Sequence, residues 1–404
     1  MKSKLFLVNA KKKTFVLNVQ LKTLFLYAMR IAVNTRLLLK GKLEGIGWYT
    51  FETLSRIVKA HPEHEFYFIF DRPYAEEFIF ASNVHPIVIS PPARHPILWY
   101  IWFELSLPKL LTKLQIDLFL SPDGFLALAS KIPSIAVIHD INFEHYPKDL
   151  KKSHGLFYRY FFKKYAQKAT RIVTVSEYSK NDISNIYAVD KSKIDVSLNG
   201  VNPFFHPIGT TDQINVRKQY SNGNDFFLFV GALHPRKNIK RLLLAFDLFK
   251  NETNSTNKLL IVGAKMWWNK ELKNTFENLE HKNEVIFTGR KSSEELQLLY
   301  AAAQALCFVP YFEGFGIPII EAMKCGCPVI TANCTAMPEV SGDAALLVNP
   351  FKISEIANAM IKIENDNNLR AELSEKGLIH SQNFSWDSTA KALWNSLAKV
   401  LNEC

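Results

Sequence analysis

The chain has few cysteines: Cys307, Cys325, Cys327, Cys334 and Cys404, five in 404 residues. None forms a CxxC pair, and no histidine lies nearby in sequence at a zinc-ligand interval, so the sequence carries no zinc ribbon. An odd count in a chain this large fits a reducing compartment, with the thiols as small core residues. Long hydrophobic runs are missing too. The most aromatic stretch, "ILWYIWF" at 97–103, is broken by Glu104 and Pro108 and reads as a buried or interfacial helix, not a spanning one. No low-complexity tract or internal repeat is present, which excludes a solenoid. Acids are absent from the first 28 residues, where six lysines interrupt the apolar runs. That pattern lacks the continuous apolar core of a signal peptide. Residues 1–28 therefore read as a basic extension, a tail in preference to a membrane anchor, ahead of a first strand at Met29.

What is present is globular. Hydrophobic residues make up 48% and charged residues 22%, and the length calls for two domains. Lys and Arg number 49 against 38 Asp and Glu, a net charge of +11. That excess suits a polyanionic partner, and phosphate groups, anionic lipid and nucleic acid all qualify on charge alone.

Short β-branched or aromatic runs alternate with longer amphipathic ones. "RIAVN", "EFYFIF", "PIVIS", "IDLFL", "SIAVIH", "RIVTVS" and "KIDVS" form one series of strands. "FFLFVG", "KLLIVG", "EVIFTG", "ALCFVP", "CPVIT" and "AALLV" form a second. Continuous apolar strands separated by helices predict parallel sheets covered on both faces. Two such series predict two doubly wound, Rossmann-like α/β domains, joined near 199–210 and covering 29–203 and 204–384. Ligands of such sheets bind beyond the carboxyl ends of the strands, here in a cleft between the domains.

Several strand-end loops carry the residue types that such a cleft needs. "YFEGFGIPIIEAM" puts Gly314, Phe315 and Gly316 before a helix whose first turn admits Pro318. The bare backbone there forms a cradle for anions and hydroxyls. Glu313 precedes it, and Glu321 is expected in the first helical turn. The two acids suit hydroxyl recognition or an acid/base pair, or Glu321 simply complements the helix dipole. In "GALHPRKN", Arg236 and Lys237 stand before an amphipathic helix, placed for a diphosphate or merely solvated. Gly45 and Gly47 open a helix after the first strand, without the spacing of a GxGxxG loop. His139 ends the strand "SIAVI" and suits hydrogen bonding or charge stabilisation, although such a histidine is often structural. On "KKSHGLFYRYFFKKYAQK", basic residues alternate with aromatic ones, which suits an anionic membrane surface or a buried helix face equally.

Taken together, "GIGWY", "VIHD", "TVSEYSKNDI", "NGV", "VGALHPRKN", "FTGRKSSEEL" and "EGFGIPIIEAMKCGCPVI" resemble the retaining glycosyltransferases of family 4, which have the GT-B fold. The likeness runs from about Met29 to the C-terminus. It implies that Glu313 binds hydroxyls of the donor sugar, to which Gly314, Phe315 and Gly316 offer backbone amides. Glu321 would take the ribose hydroxyls, and Arg236 and Lys237 the diphosphate. Gly45 and Gly47 would approach the phosphates, Gly289 and Arg290 would border the base, and His139 would contact the sugar. It also implies that the last helix, within 385–404, returns to the first domain.

The mechanism implied retains the anomeric configuration and needs no metal or cofactor, and no DxD motif occurs. "VIHDINFEHYPKDL" and "TAMPEVSGDAALLVNP" look most like the mannosyltransferase branch of surface polysaccharide and lipopolysaccharide assembly. The resemblance thus implies a GDP- or UDP-sugar donor, with GDP-mannose preferred, and a glycan or lipid-linked acceptor. It implies no nucleic acid, and a cytoplasmic place, peripheral to the inner membrane face. A sugar-nucleotide epimerase or phosphorylase of the same fold, and a non-catalytic glycan- or nucleotide-binding module, are the alternatives.

Overall fold

The computed structural model describes residues 28–264 and 268–401; the expected basic extension, save its last residue, lies outside the described residues. The apolar runs assemble two sheets. In the first, β1 (Arg30–Asn34), β2 (Glu65–Phe70), β3 (Val84–Val88), β4 (Leu118–Ser121), β5 (Ser134–Val137), β6 (Arg171–Thr174) and β7 (Ile194–Val196) lie in the order β3-β2-β1-β4-β5-β6-β7. In the second, β8 (Phe226–Val230), β9 (Lys258–Val262), β10 (Val285–Gly289), β11 (Ala305–Phe308), β12 (Val329–Ala332) and β13 (Leu346–Val348) lie in the order β10-β9-β8-β11-β12-β13. Every pairing is parallel.

The two doubly wound sheets follow from the strand sequences. β5, β8, β11 and β12 are buried at every position. A strand buried on both faces needs apolar side chains throughout, hence runs without alternation. Strand edges shift slightly from the reading above: "PIVIS" pairs two residues earlier, as Val84–Val88.

The helices that matter for the site are α1 (Gly45–Ala60), α2 (Lys152–Lys168), α3 (Glu177–Tyr187), α4 (Ile239–Thr253), α5 (Ile317–Lys324) and α6 (Trp386–Leu401). α6 lies on the first sheet's side of the molecule, against α1. Trp394 stacks on His61 with ring centroids 3.5 Å apart, Asp387 accepts from Arg56 at 2.6 Å, and Lys399 reaches Asp195 at 2.8 Å. The two segments that cross between the sheets touch each other through a Val201–Ser385 bridge.

The aromatic stretch at 97–103 is helical. Trp99, Trp102 and Phe103 are buried while Ile97 and Tyr100 are exposed. α2 divides its aromatics the same way. Phe157, Phe162 and Tyr165 enter the core, and Tyr160 points outward beside Leu156.

Candidate functional site

Each sheet reverses its strand order once, between β1 and β4 and between β8 and β11. A crevice opens at such a reversal, because the crossovers on its two sides leave in opposite directions. The loops after β8 and β11 therefore meet, and they carry Arg236, Lys237 and Glu313.

Arg236 and Lys237 sit in a tight turn, Pro235–Lys237, one residue ahead of α4. The His234 ring accepts from the Arg236 N–H at 3.3 Å. Asn238, buried and at φ 64°, ties the turn down by donating to the carbonyls of Val309 (3.0 Å) and Pro350 (2.6 Å). Both cations converge on Glu313. Arg236 Nη1 donates to Oε1 of Glu313, and Lys237 Nζ lies 2.5 Å from the same oxygen. Lys237 Nζ also stands 4.7 Å from the centre of the Phe308 ring, a cation–π contact. Burial would push the Glu313 carboxyl up, but the two cations together hold it below the ordinary carboxylate range. Burial lowers Lys237, opposed by Glu313. Two cations thus share one oxygen of a single directly bonded carboxylate.

The first sheet supplies the facing wall. His139 and Asp140 follow β5, and Asp140 lies 3.9 Å from Arg236. His139 Nε2 is 2.9 Å from the Pro122 carbonyl oxygen. A carbonyl only accepts, so Nε2 carries the proton and Nδ1 is left as an acceptor. The ring meets Tyr49 of α1 edge to face at 4.9 Å. Burial lowers the histidine's pKa, so it is neutral at pH 7.

The glycine turn is shaped by these neighbours. A Cβ on Gly314 would lie 2.2 Å from the His139 carbonyl oxygen. Gly316 has φ 97° and precedes α5, a backbone that glycine adopts without strain. The Phe315 side chain is buried, 5.9 Å from the Phe384 ring, so that residue offers the cleft its backbone alone. Glu321 departs from the expectation of a first-turn acid. α5 starts at Ile317, no acid occupies its first turn, and Glu321 falls in the second. The helix starts directly after the αL Gly316 lets the chain turn, which makes Glu321 its fifth residue, so the dipole explanation for Glu321 loses its basis. Its carboxylate accepts from the Tyr300 hydroxyl at 2.9 Å, and burial pushes its pKa up to about 7.

Gly45 and Gly47 form the first turn of α1, whose Tyr49 touches His139. Arg290, after Gly289 at the end of β10, donates to the Leu43 carbonyl at 2.9 Å. That contact joins the second sheet's loop to the one leading into α1. α1, His139, Arg236, Lys237, Glu313 and the glycine turn are therefore linked by direct contacts, with Glu321 in the second turn of the helix that follows.

Sequence reading missed four participants. Asp140 was visible only as the neighbour of His139, and Tyr300 carries no local signal. Ser176 and Glu339 belong to stretches quoted for their resemblance without any role. Ser176 Oγ donates to the Gly314 carbonyl at 2.7 Å, and Glu339 accepts from the N–H groups of Glu177 and Tyr178.

Two families match the chain: "Glycosyltransferase Family 4" over residues 43–204 and "Glycosyl transferases group 1" over residues 211–379. The chain is similar to the O-antigen chain mannosyltransferase B of Escherichia coli, 27% identical over 87% of this chain and 94% of that protein. It is also similar to the O-antigen chain mannosyltransferase RfbU of Salmonella typhimurium, 29% identical over 72% of this chain and 78% of that protein. Among solved structures, Anabaena HepE in complex with UDP and glucose matches with a TM-score of 0.72 at 19% identity. That match covers 92% of this chain and 99% of that one; at this identity the likeness concerns the fold.

Proposed function

The chain belongs to the group 1, family 4 glycosyltransferases with the GT-B fold, and on that footing we propose that it is a retaining, metal-independent hexosyltransferase of surface polysaccharide assembly. Mannose from GDP-mannose is the preferred donor, supported by the two O-antigen mannosyltransferases it resembles. The acceptor is a glycan, free or lipid-linked, met at the cytoplasmic face of the membrane. The two units are 29–203, completed by 385–404, and 204–384.

The observation that carries the reading is the pair of cations on Glu313, opposite His139. When the bond between the anomeric carbon and the diphosphate breaks, negative charge grows on the departing oxygen and positive charge on the sugar. Arg236 and Lys237 stabilise the first, as fixed charges in a dry site do best. Glu313, ionised through its partners, faces the second with its remaining oxygen and binds sugar hydroxyls. The acceptor oxygen attacks from the leaving-group side, its proton passes to the departing phosphate oxygen, and nucleoside diphosphate is released. A neutral His139 adds no positive charge to oppose the transition state, and its Nδ1 accepts from a sugar hydroxyl. Glu321 takes the ribose hydroxyls, the backbone of Gly314, Phe315 and Gly316 lines the sugar, Gly45 and Gly47 approach the phosphates, and Gly289 and Arg290 border the base.

Outward Leu156 and Tyr160, set among Arg159, Lys163 and Lys164 on α2, support peripheral contact with an anionic membrane. A donor-depletion screen with GDP- and UDP-sugars, with and without an acceptor extract, tests the whole reading. Depletion that requires the extract, with product of retained anomeric configuration, is expected. Depletion without acceptor indicates an epimerase, sugar phosphate formed from inorganic phosphate indicates a phosphorylase, and binding without turnover indicates a binding module.

A further inference from the structure

The stretches "TVSEYSK" and "TAMPEVSG" meet across the cleft. α3 begins after Ser176, whose hydroxyl accepts from the Ser179 N–H at 3.1 Å and so caps its own helix. The same hydroxyl donates to the Gly314 carbonyl, 2.7 Å away in the other unit. Ser179 Oγ lies 3.2 Å from the His139 carbonyl oxygen and 3.4 Å from that of Gly314. One hydroxyl therefore spans the backbones on either side of the cleft. Both serines are buried.

The remaining donors of the helix start are satisfied from outside. The N–H groups of Glu177 and Tyr178 donate to the two carboxylate oxygens of Glu339, at 2.8 and 3.0 Å. A helix leaves its first N–H groups without internal partners, and its N-terminal end favours negative charge. α3 meets that requirement with a carboxylate from the opposite unit. In this structure the cap is thus completed by the opposite unit.

We propose that Ser176, Ser179 and Glu339 are positioning residues that bring His139 of the first unit into register with Glu313, Arg236 and Lys237 of the second. They touch no reacting atom. They act through the Gly314 carbonyl, one residue from Glu313, and through the His139 carbonyl. Opening the cleft returns the Glu339 carboxylate and two N–H groups to water, so the closed register is held by charge-assisted bonds that form there alone.

The inference rests on the transfer site described above, and the test separates the two. In the full-length chain, Ser176→Ala, Glu339→Gln and Glu339→Ala are compared with wild type. Nucleoside diphosphate binding is followed by calorimetry, Tm by calorimetric scanning, and kcat and donor KM with the donor found in the screen. Misplacement of reacting groups by about 1 Å costs on the order of a hundredfold. We therefore expect kcat to fall roughly 10–100-fold in Ser176→Ala and Glu339→Ala, with diphosphate affinity within about twofold of wild type. Glu339→Gln, which keeps one accepting oxygen, falls between them and wild type. Unchanged kcat in all three variants overturns the inference, as does a loss that merely tracks Tm or diphosphate affinity. Absence of diphosphate binding by the wild-type chain overturns the underlying site instead.

Discussion

Gly314 and His139 come together so closely that a methyl group on the glycine would stand 2.2 Å from the histidine's carbonyl oxygen. The contact joins the two units at the point where their candidate catalytic residues face each other. Gly314→Ala should hold the cleft ajar, because that oxygen is backbone and has little room to yield. Transfer should fall by about two orders of magnitude, as expected for displaced reacting groups, while nucleoside diphosphate still binds. Small-angle scattering should report a larger radius of gyration for the variant. Unchanged scattering together with unchanged turnover would refute the assignment.

Glu313 and Glu321 should fail differently. Arg236 and Lys237 share the Glu313 carboxylate, so Glu313→Gln leaves two half-buried cations without their directly bonded counter-charge, with Asp140 remaining 3.9 Å from Arg236. Breaking a fully buried pair costs about 3–5 kcal/mol; with the cations half-buried the cost is smaller, and Tm should still drop. Freed from the carboxylate, the cations should bind nucleoside diphosphate at least as tightly as in the wild type. kcat should nevertheless collapse, since the carboxylate opposite the developing positive charge is gone. Calorimetry showing weaker diphosphate binding with kcat intact would reverse the assignment.

Burial disfavours the charge of Glu321 and pushes its pKa from the ordinary carboxyl value of 4.5 up to about 7. As pH rises through that range the carboxyl ionises, which makes it the stronger acceptor for the ribose hydroxyls it binds in the proposed reading. Donor KM should therefore fall by about tenfold between pH 6 and pH 8, following the ionised fraction. Glu321→Gln should flatten that profile and weaken donor binding by roughly 10–150-fold at pH 8, the loss of one charge-assisted hydrogen bond. Stability runs in the opposite sense. A raised folded-state pKa means that stability present below the ordinary carboxyl pKa is lost as pH rises through 7. The variant's Tm relative to wild type should accordingly be higher at pH 8 than at pH 5.

In the proposed mechanism Arg236 and Lys237 supply the charge that a divalent ion would supply, so turnover should survive excess EDTA. Lys237→Ala should lower nucleoside diphosphate affinity by roughly 10–150-fold through the loss of one charged hydrogen bond. Activity lost in EDTA and restored by magnesium or manganese would contradict both halves of the claim.

The sheets were legible because parallel strands buried on both faces must be apolar throughout, and "FFLFV" and "ALCF" announce that requirement without help from distant residues. The order of strands then follows from the connections, and the loops after β8 and β11 must meet. Glu321 was harder, because whether it lies in the first or the second turn of α5 depends on where Gly316 lets the backbone reverse. The role of Glu339 could not be read at all. It caps a helix that begins more than 150 residues earlier in the chain, and nothing in local composition records a hydrogen bond made between two domains.

Because α6 packs on α1 and the two crossing segments bridge at Val201 and Ser385, the first unit is finished by residues synthesised only after the whole of the second. Synthesis proceeds at roughly 5–20 residues per second, so the second unit takes on the order of ten seconds or more to emerge. Throughout that interval His61 and the face of α1 that α6 covers stay exposed. A nascent chain halted before Trp386 would display that face to chaperones, and synthesis of α6 would withdraw it.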